Sequence, residues 1–407
     1  MTDYHPRELT PRLLEALDRF PVTVVSGLRQ AGKSTLLTSD PAFGGRHYRT
    51  LDDFAILRAA KANPEALLEQ AEQVTFDEVQ RAPELLGALK PAVDQKRRPG
   101  RFLLSGSANL GLIAGVAETL AGRAIYLALH PMTRREIRRK TETPPVLVRF
   151  VTSQSLPSGR ADRVEGPEIL LGGLPPVCLE KPGGASLWFR GYVQTYVERD
   201  VRQLSQITNL VAFQTVVELA ALRTGQVLNA STLGRDAKLT GATTARYLHL
   251  LEASFLVRRV PPFLNNRSLR LIKSPKMYFT DSGLAAHLAQ VSTLDETAND
   301  PLMGPLLETW VVQNVTAILE AHLPGARLSY WHEQGRHEVD LVIEHNRKTV
   351  AIEIKAATRW TESDLGGLRA FMERTPGCVA GVLAYNGNQA VEIGRKLWAI
   401  PIGLLLA

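Results

Sequence analysis

The sequence predicts an α/β protein whose first third is a parallel sheet covered on both faces by helices. Three observations point there. A β-branched run leads straight into a glycine-hinged turn, a second apolar run ends in adjacent carboxylates, and strand patterns alternate with helical ones.

The first strand is Val22 to Ser26, a short run introduced by Pro21. It enters GLRQAGKST, which fits G-x-x-x-x-G-K-S/T in full: Gly27, Leu28, Arg29, Gln30, Ala31, Gly32, Lys33, Ser34 and Thr35. Gly27 and Gly32 let the backbone fold around phosphate with its N–H groups inward. Lys33 reaches the β- and γ-phosphate oxygens, and the Ser34 hydroxyl can ligate Mg²⁺. A helix from Ser34 to about Thr38 turns its positive end on the anion. These residues imply ATP and Mg²⁺ as ligands.

The second strand, Val74 to Glu78, closes on two acids. Asp77 is assigned to the metal, directly or through water, and Glu78 to the attacking water. A third strand, Arg101 to Ser105, leads into GSAN, where Ser105, Ser107 and Asn109 can sense a γ-phosphate; Ser107 is preferred, beside the plain reading of a capped turn. Helices are expected over Asp53 to Ala71, interrupted near Pro64, and over Pro83 to Arg97. Ala124 to Leu129 reads as another strand. Arg123 before it is a candidate γ-phosphate contact, in its own subunit or a neighbour's, against the plainer reading of a surface arginine. The phosphate site belongs at the C-terminal edge of this sheet.

The chain has 407 residues, enough for two or three cores. Its 44% hydrophobic and 22% charged residues are globular proportions. No apolar run has the length of a membrane helix, and no secretion signal opens the sequence. Cys178 and Cys378 lack metal-ligand spacing and read as reduced thiols, which predicts a cytoplasmic protein. The net charge of +7 permits a polyanionic partner, with basic clusters at 96–101, 134–140 and 258–276.

Domains are expected at 1–140, the phosphate-binding sheet; 141–225, a linker and helical region; 226–285; and 300–407. Residues 141–168 carry several Pro, Gly and Ser and read as a loose linker. Helical periodicity returns from Leu187 to Leu204, where Arg190, Arg199, Asp200 and Arg202 decorate an apolar stripe. From Asn229 the pattern is helix, turn, helix: Ser231 caps the first, Thr240-Gly241 turns the chain, and two strand runs follow. That is the order of a winged helix-turn-helix. Arg246 and His249 lie on the second helix. Arg258, Arg259, Arg267, Arg270, Lys273 and Lys276 fall in the wing, which favours backbone contact with DNA over base reading.

The last hundred residues begin with an amphipathic helix around Glu308. A strand at Leu328 to Trp331 and a hairpin of Glu338 to Glu344 with Thr349 to Lys355 follow. Strand alternation puts Glu353 and Lys355 on one face, and Asp340 can join them across the hairpin. Two carboxylates and a lysine so placed can hold Mg²⁺ and activate water at a phosphodiester, with Glu308 a further acid. The same cluster can equally be a salt-bridged structural group.

These pieces together resemble a group of prokaryotic AAA-family ATP-binding proteins with a C-terminal region of unknown function ending in a restriction-endonuclease-like domain. The resemblance is carried by GLRQAGKST, TFDEVQ, LLSGSAN, GGLPPV, YVERDV, SPKMYFTDSGL and EVDLVI…AIEIK, from about residue 7 to 385. It implies an AAA-type parallel sheet, a helical middle with a winged helix-turn-helix, and a C-terminal restriction-endonuclease-like α/β domain. It also implies ATP, Mg²⁺ and DNA-related work.

Two functions fit. One is a Mg-dependent ATPase acting on DNA by structure rather than sequence, as a branched-DNA motor or an ATP-gated nuclease. The other is an ATP-dependent switch or scaffold that holds a protein partner, its nuclease-like domain inactive. A homo-oligomer is compatible with both, and neither needs a membrane.

Overall fold

The computed structural model describes residues 4–107, 120–157, 159, 161–179, 182–196, 207, 209–264, 270, 273–294, 300–333 and 336–407. Asn109, Arg199, Asp200, Arg202 and Arg267 of the sequence reading lie outside them. Two compact units emerge. One holds residues up to Pro131 with 253–255 and 320–322, and the other holds 132–252, 256–319 and 323–407.

The first unit runs α1 (Thr10–Arg19), β1 (Val22–Ser26), α2 (Lys33–Ser39), β2 (His47–Thr50), α3 (Phe54–Ala62), α4 (Pro64–Leu68), β3 (Val74–Asp77), α5 (Pro83–Gln95), β4 (Phe102–Gly106) and β5 (Ala124–Ala128). The strands form one sheet in the order β2-β3-β4-β1-β5, every pair parallel. The expected parallel sheet is present, with β4 inserted between the phosphate-turn strand and the acidic strand. Strands β1, β3 and β4 are buried along their whole length, as near-continuous apolar runs require in a sheet covered on both faces. One face packs Leu67, Leu85 and Leu89 against Val24, Phe76 and Leu104; the other packs Leu13, Leu17 and Leu36 against Val25 and Leu103. The break at Pro64 is real: Asn63 ends α3 and its side chain caps α4. Strand β2 escapes the sequence reading because HYRT has no apolar alternation and is only half-buried.

The second unit begins with α6 (Arg134–Ile137), α7 (Val146–Ser153), α8 (Gly166–Leu171), α9 (Pro175–Cys178), α10 (Ala185–Thr195) and α11 (Leu210–Ala221). The expectation of a loose linker over 141–168 is corrected by α7 and α8. Val146, Leu147, Phe150 and Val151 form a buried helical stripe, and Phe150 meets Trp398 edge-to-face at 5.3 Å. Tertiary burial outweighs the flanking Pro, Gly and Ser.

Next come β6 (Gln226–Val227), α12 (Ala230–Asp236), α13 (Gly241–Ala253), β7 (Val257–Val260) and β8 (Lys276–Phe279). The strands make an antiparallel sheet in the order β6-β8-β7. The cap of α12 is Asn229, whose Oδ1 accepts from Thr232 N at 2.9 Å, and not Ser231.

The chain continues through α14 (Ser282–Leu288), α15 (Met303–His322), β9 (Arg327–Glu333), β10 (His337–His345), β11 (Lys348–Lys355), α16 (Gly366–Arg374), β12 (Cys378–Tyr385), β13 (Val391–Gly394), β14 (Leu397–Pro401) and α17 (Ile402–Leu405). Strands β9, β10 and β11 form an antiparallel meander, and β12 and β14 add in parallel beyond β11. The core on one face joins Val339, Val342 and Ala351 to Leu368 and Phe371 of α16.

Two motifs without an assigned chemical role, GGLPPV and TDSGL, meet in this unit. The fully buried Asp281 caps α14, accepting from Leu284 N at 2.8 Å, and also accepts from Gly173 N at 2.7 Å. A Cβ at Gly172, where φ is +64°, would stand 2.5 Å from the Asp281 carboxylate. Burial pushes the Asp281 pKa from 3.8 up to about 6, against the backbone N–H groups of Gly173, Leu284, Gly283 and Leu174. The native state therefore holds this proton more tightly than the unfolded chain. The contribution is complete below the unfolded value and is lost as pH rises through the folded one. Measured against Asp281→Asn by denaturant melts, the parent should lose about 3 kcal/mol of relative stability from pH ~4 to ~6. A pH-independent difference would contradict the buried carboxylate.

Candidate nucleotide-binding site

In a parallel sheet all strands end on one edge. Here that edge gathers the turn after β1, Asp77 at the end of β3 and the Ser105-Gly106 end of β4. Gly27 is dictated by space, since a Cβ there would lie 2.2 Å from the Leu129 carbonyl oxygen. Gly32 has φ +92° and precedes α2, so the turn needs a residue free to enter the left-handed region. Gln30 is left-handed as well, at φ +64°.

Lys33 is buried, and its Nζ donates to the carbonyls of Gly27 at 2.9 Å and Leu28 at 3.0 Å. Burial lowers its pKa from 10.5 to about 8, while Glu78 and then Asp77 pull the other way. Two carbonyls and nearby acids only partly compensate this ammonium, so an anion drawn into the turn would stabilise it. Ser34 and Thr35 lie in the first turn of α2 and are exposed.

Asp77 is buried and clamped by protein donors. Its Oδ1 accepts from the Ser105 hydroxyl and from Glu78 N at 3.0 Å, and its Oδ2 accepts from the Tyr48 hydroxyl at 2.7 Å. Glu78 is left-handed at φ +58°, a strained setting for a non-glycine residue and one found at functional sites. Burial raises its pKa, opposed by Lys33 and by the bond from Gln80, which favours a carboxylate able to accept a proton. Gln80 Nε2 donates both to Glu78 and to Ser107 Oγ at 3.1 Å, tying the acid to the end of β4.

The structure thus brings together Gly27 to Thr35, Asp77, Glu78 and Ser107. It does not bring in Arg123. That residue precedes β5 at the opposite edge of the sheet, where its guanidinium makes two bonds to Asp94, at 2.6 and 2.7 Å. The correction follows from sheet geometry: five residues of β5 separate it from the phosphate edge of its own chain.

Three residues escape the sequence reading. Tyr48 reaches Asp77 because β2 pairs with β3 in the register Thr50 to Asp77. Arg7 bonds the Ala31 carbonyl and the His130 carbonyl, each at 2.7 Å, pinning the turn to the end of β5. Gln80, two positions after Glu78, was visible in TFDEVQ but had no assigned task.

The donor set fits a Mg-bound triphosphate: a turn shaped by Gly27 and the left-handed Gly32, a buried cation, a hydroxyl at Ser34 and a carboxylate at Asp77, hard oxygen donors of the kind Mg²⁺ takes. Ser34 and Asp77 would hold the metal side, and the turn from Gly27 to Thr35 the phosphates. The metal, when bound, would offset phosphate charge.

In the other unit, the residues of the second predicted site also converge. Lys355 Nζ is 3.2 Å from Glu353, and Asp340 Oδ2 accepts from Ile354 N at 2.9 Å across the β10–β11 pair. Glu308 of α15 joins Asp340 through a residue read as a wing contact, Lys276. Its Nζ lies 3.0 Å from Glu308, 3.2 Å from Asp340 and closer still to Glu338. Burial would lower the Lys276 pKa, but Asp340, Glu308 and Glu338 together raise it above the ordinary lysine range. Burial, and then the Asp340 charge, pushes Glu308 and Glu353 up. The DNA-contact expectation for Lys276 is corrected, because its side chain is only 4% exposed. Arg270 and Arg259 are ion-paired too, with Glu344 at 2.5 Å and Glu252 at 3.3 Å.

Comparison with known proteins adds the following. An AAA domain family matches residues 19–138. Two domains of unknown function, DUF8612 and DUF4143, match residues 168–295 and 303–405. Uncharacterized protein Rv2008c of Mycobacterium tuberculosis is 31% identical over 404 residues, covering 98% of this chain and 84% of the relative. Uncharacterized protein Mb2031c of Mycobacterium bovis gives the same figures. Among solved structures, the Walker-type ATPase PABY2304 of Pyrococcus abyssi is similar with a TM-score of 0.44 at 16% identity, covering 70% of this chain and 96% of that one. The RuvB Holliday junction branch migration motor of Thermotoga maritima follows at 0.30 and 15%, covering 62% and 89%.

Glu78→Gln should keep nucleotide affinity, read by calorimetry, and lower steady-state ATP turnover about 100-fold or more. Unchanged turnover would remove Glu78 from the water-activating role.

Proposed function

The chain belongs to the same family as the two mycobacterial proteins, with an AAA domain at its N-terminal end, and from that premise we propose that it is a Mg-dependent ATPase that acts on DNA. The observation that carries the ATPase reading is the convergence of Lys33, Asp77 and Glu78 on one sheet edge. Lys33 neutralises phosphate charge, Asp77 steadies the metal side, and Glu78 accepts the proton of the attacking water. Gln80 links Glu78 to Ser107, so the state of the phosphate end can be felt at β4.

DNA is the partner this reading favours. The net charge is +7, and α12 and α13, with the β6-β8-β7 sheet, support a winged helix-turn-helix within 226–285. Arg235, Lys238, Arg246 and His249 are exposed on or beside those helices. Few cations face outward there, which suits phosphate contact and structure recognition over base reading. The order α15, β9, β10, β11, α16, β12 supports a restriction-endonuclease-like fold for 300–407. ATP state would control how both engage DNA. Arg123 keeps a place only as a contact in trans, within a homo-oligomer.

A second reading is favoured by Lys276: the nuclease-like domain is inactive and the ATPase is a switch that holds a protein partner. Turnover measured with duplex, single-stranded and branched DNA separates the two. DNA action predicts severalfold stimulation by at least one of them, with binding that weakens steeply as salt rises. No stimulation by any of the three would leave the switch.

A further inference from the structure

The acidic cluster of the second unit draws its members from four elements. Glu308 comes from α15, Glu338 and Asp340 from β10, Glu353 from β11, and the ammonium at its centre, Lys276, from β8. The ammonium contacts three carboxylates at once and is almost fully buried, so it is held by the cluster and not by solvent. Some of the other oxygens are committed as well, while Glu353 Oε2 is buried without a hydrogen-bond partner. Glu308 Oε1 also accepts from the Tyr278 hydroxyl, Asp340 Oδ2 takes the Ile354 N–H, and Glu353 faces Lys355. Tyr330 lends its ring face to the same ammonium, with the centroid 5.8 Å from Nζ.

We propose that Lys276 is a built-in cation that closes this cluster to divalent metal. Two arguments carry it. The first is position. Carboxylate oxygens at about 3 Å from a shared centre are spaced for an ammonium. Mg²⁺ draws its ligands to about 2.0–2.1 Å in an octahedron. Among the described residues no group of three His, Cys, Asp or Glu side chains is arranged to hold a metal ion. The second is charge. An ion entering between Glu308 and Asp340 meets the ammonium at the same point, and like charges at that separation repel strongly in a buried setting. The metal can enter only where the lysine leaves, and Lys276 is anchored through its backbone in β8, paired with both β6 and β7.

The inference concerns only the second unit. It stands or falls independently of whether Lys33, Asp77 and Glu78 hydrolyse ATP. It gives a physical reason why the pattern Asp340, Glu353, Lys355 can persist without metal-dependent cleavage.

The test is Mn²⁺ binding to the nucleotide-free full-length chain, with free Mn²⁺ read by electron paramagnetic resonance and folding followed by circular dichroism. Parent, Asp340→Asn and Glu353→Gln should bind Mn²⁺ equally, because the cluster contributes no site. Lys276→Met should gain one Mn²⁺ per chain, and adding Asp340→Asn should remove it. A parent that loses a Mn²⁺ on Glu353→Gln or Asp340→Asn would overturn the proposal, as would a folded Lys276→Met with no gain. Should Lys276→Met fail to fold, the comparison of parent with Glu353→Gln decides by itself.

Discussion

Burying an ammonium is costly unless anions surround it, and that one constraint organises both halves of this protein. Among the described residues two lysines are buried, Lys33 and Lys276, with opposite outcomes. Lys33 sits in a glycine turn with carbonyls as its direct partners and acids only at a remove, and its pKa falls to about 8. Lys276 sits among Glu308, Glu338 and Asp340, and its pKa rises. The first lysine is left wanting an anion and the second is satisfied. One describes a ligand site, the other an internal tie.

The acids beside Lys33 are kept from collapsing onto it. The Asp77 carboxylate is occupied by Ser105, Tyr48 and the Glu78 N–H, and Glu78 is held by Gln80 in a left-handed turn. Each clamp comes from a neighbouring strand or from the turn itself, so the parallel sheet is what makes the arrangement rigid. Arg7 extends the frame from outside the sheet by fastening the Ala31 carbonyl to the end of β5.

Much of this was legible because it is local. Gly27 to Thr35, the Asp77-Glu78 pair and the Asp340, Glu353, Lys355 spacing are short-range patterns whose side-chain directions follow from strand alternation. The parallel sheet followed from the alternation of elements. What escaped depends on long-range pairing. Strand β2 is too polar to announce itself, and with it went Tyr48. Helix α7 lay hidden among Pro, Gly and Ser, because only burial against Trp398 and its neighbours makes it a helix. Lys276 read as a wing cation because composition records its charge and not the 64 residues that separate it from Asp340. Arg123 stands just before the start of β5, where its bonds to Asp94 agree with the plainer reading of a surface arginine.

The most direct test of the account is calorimetry of the full chain with Mg·ATP at pH 8, in two buffers of different ionisation enthalpy. A buried Lys33 that is only partly protonated should take up a fraction of a proton as the triphosphate arrives, and Lys33→Arg should show none. Failure to bind, or binding by the parent with no proton uptake, would contradict it.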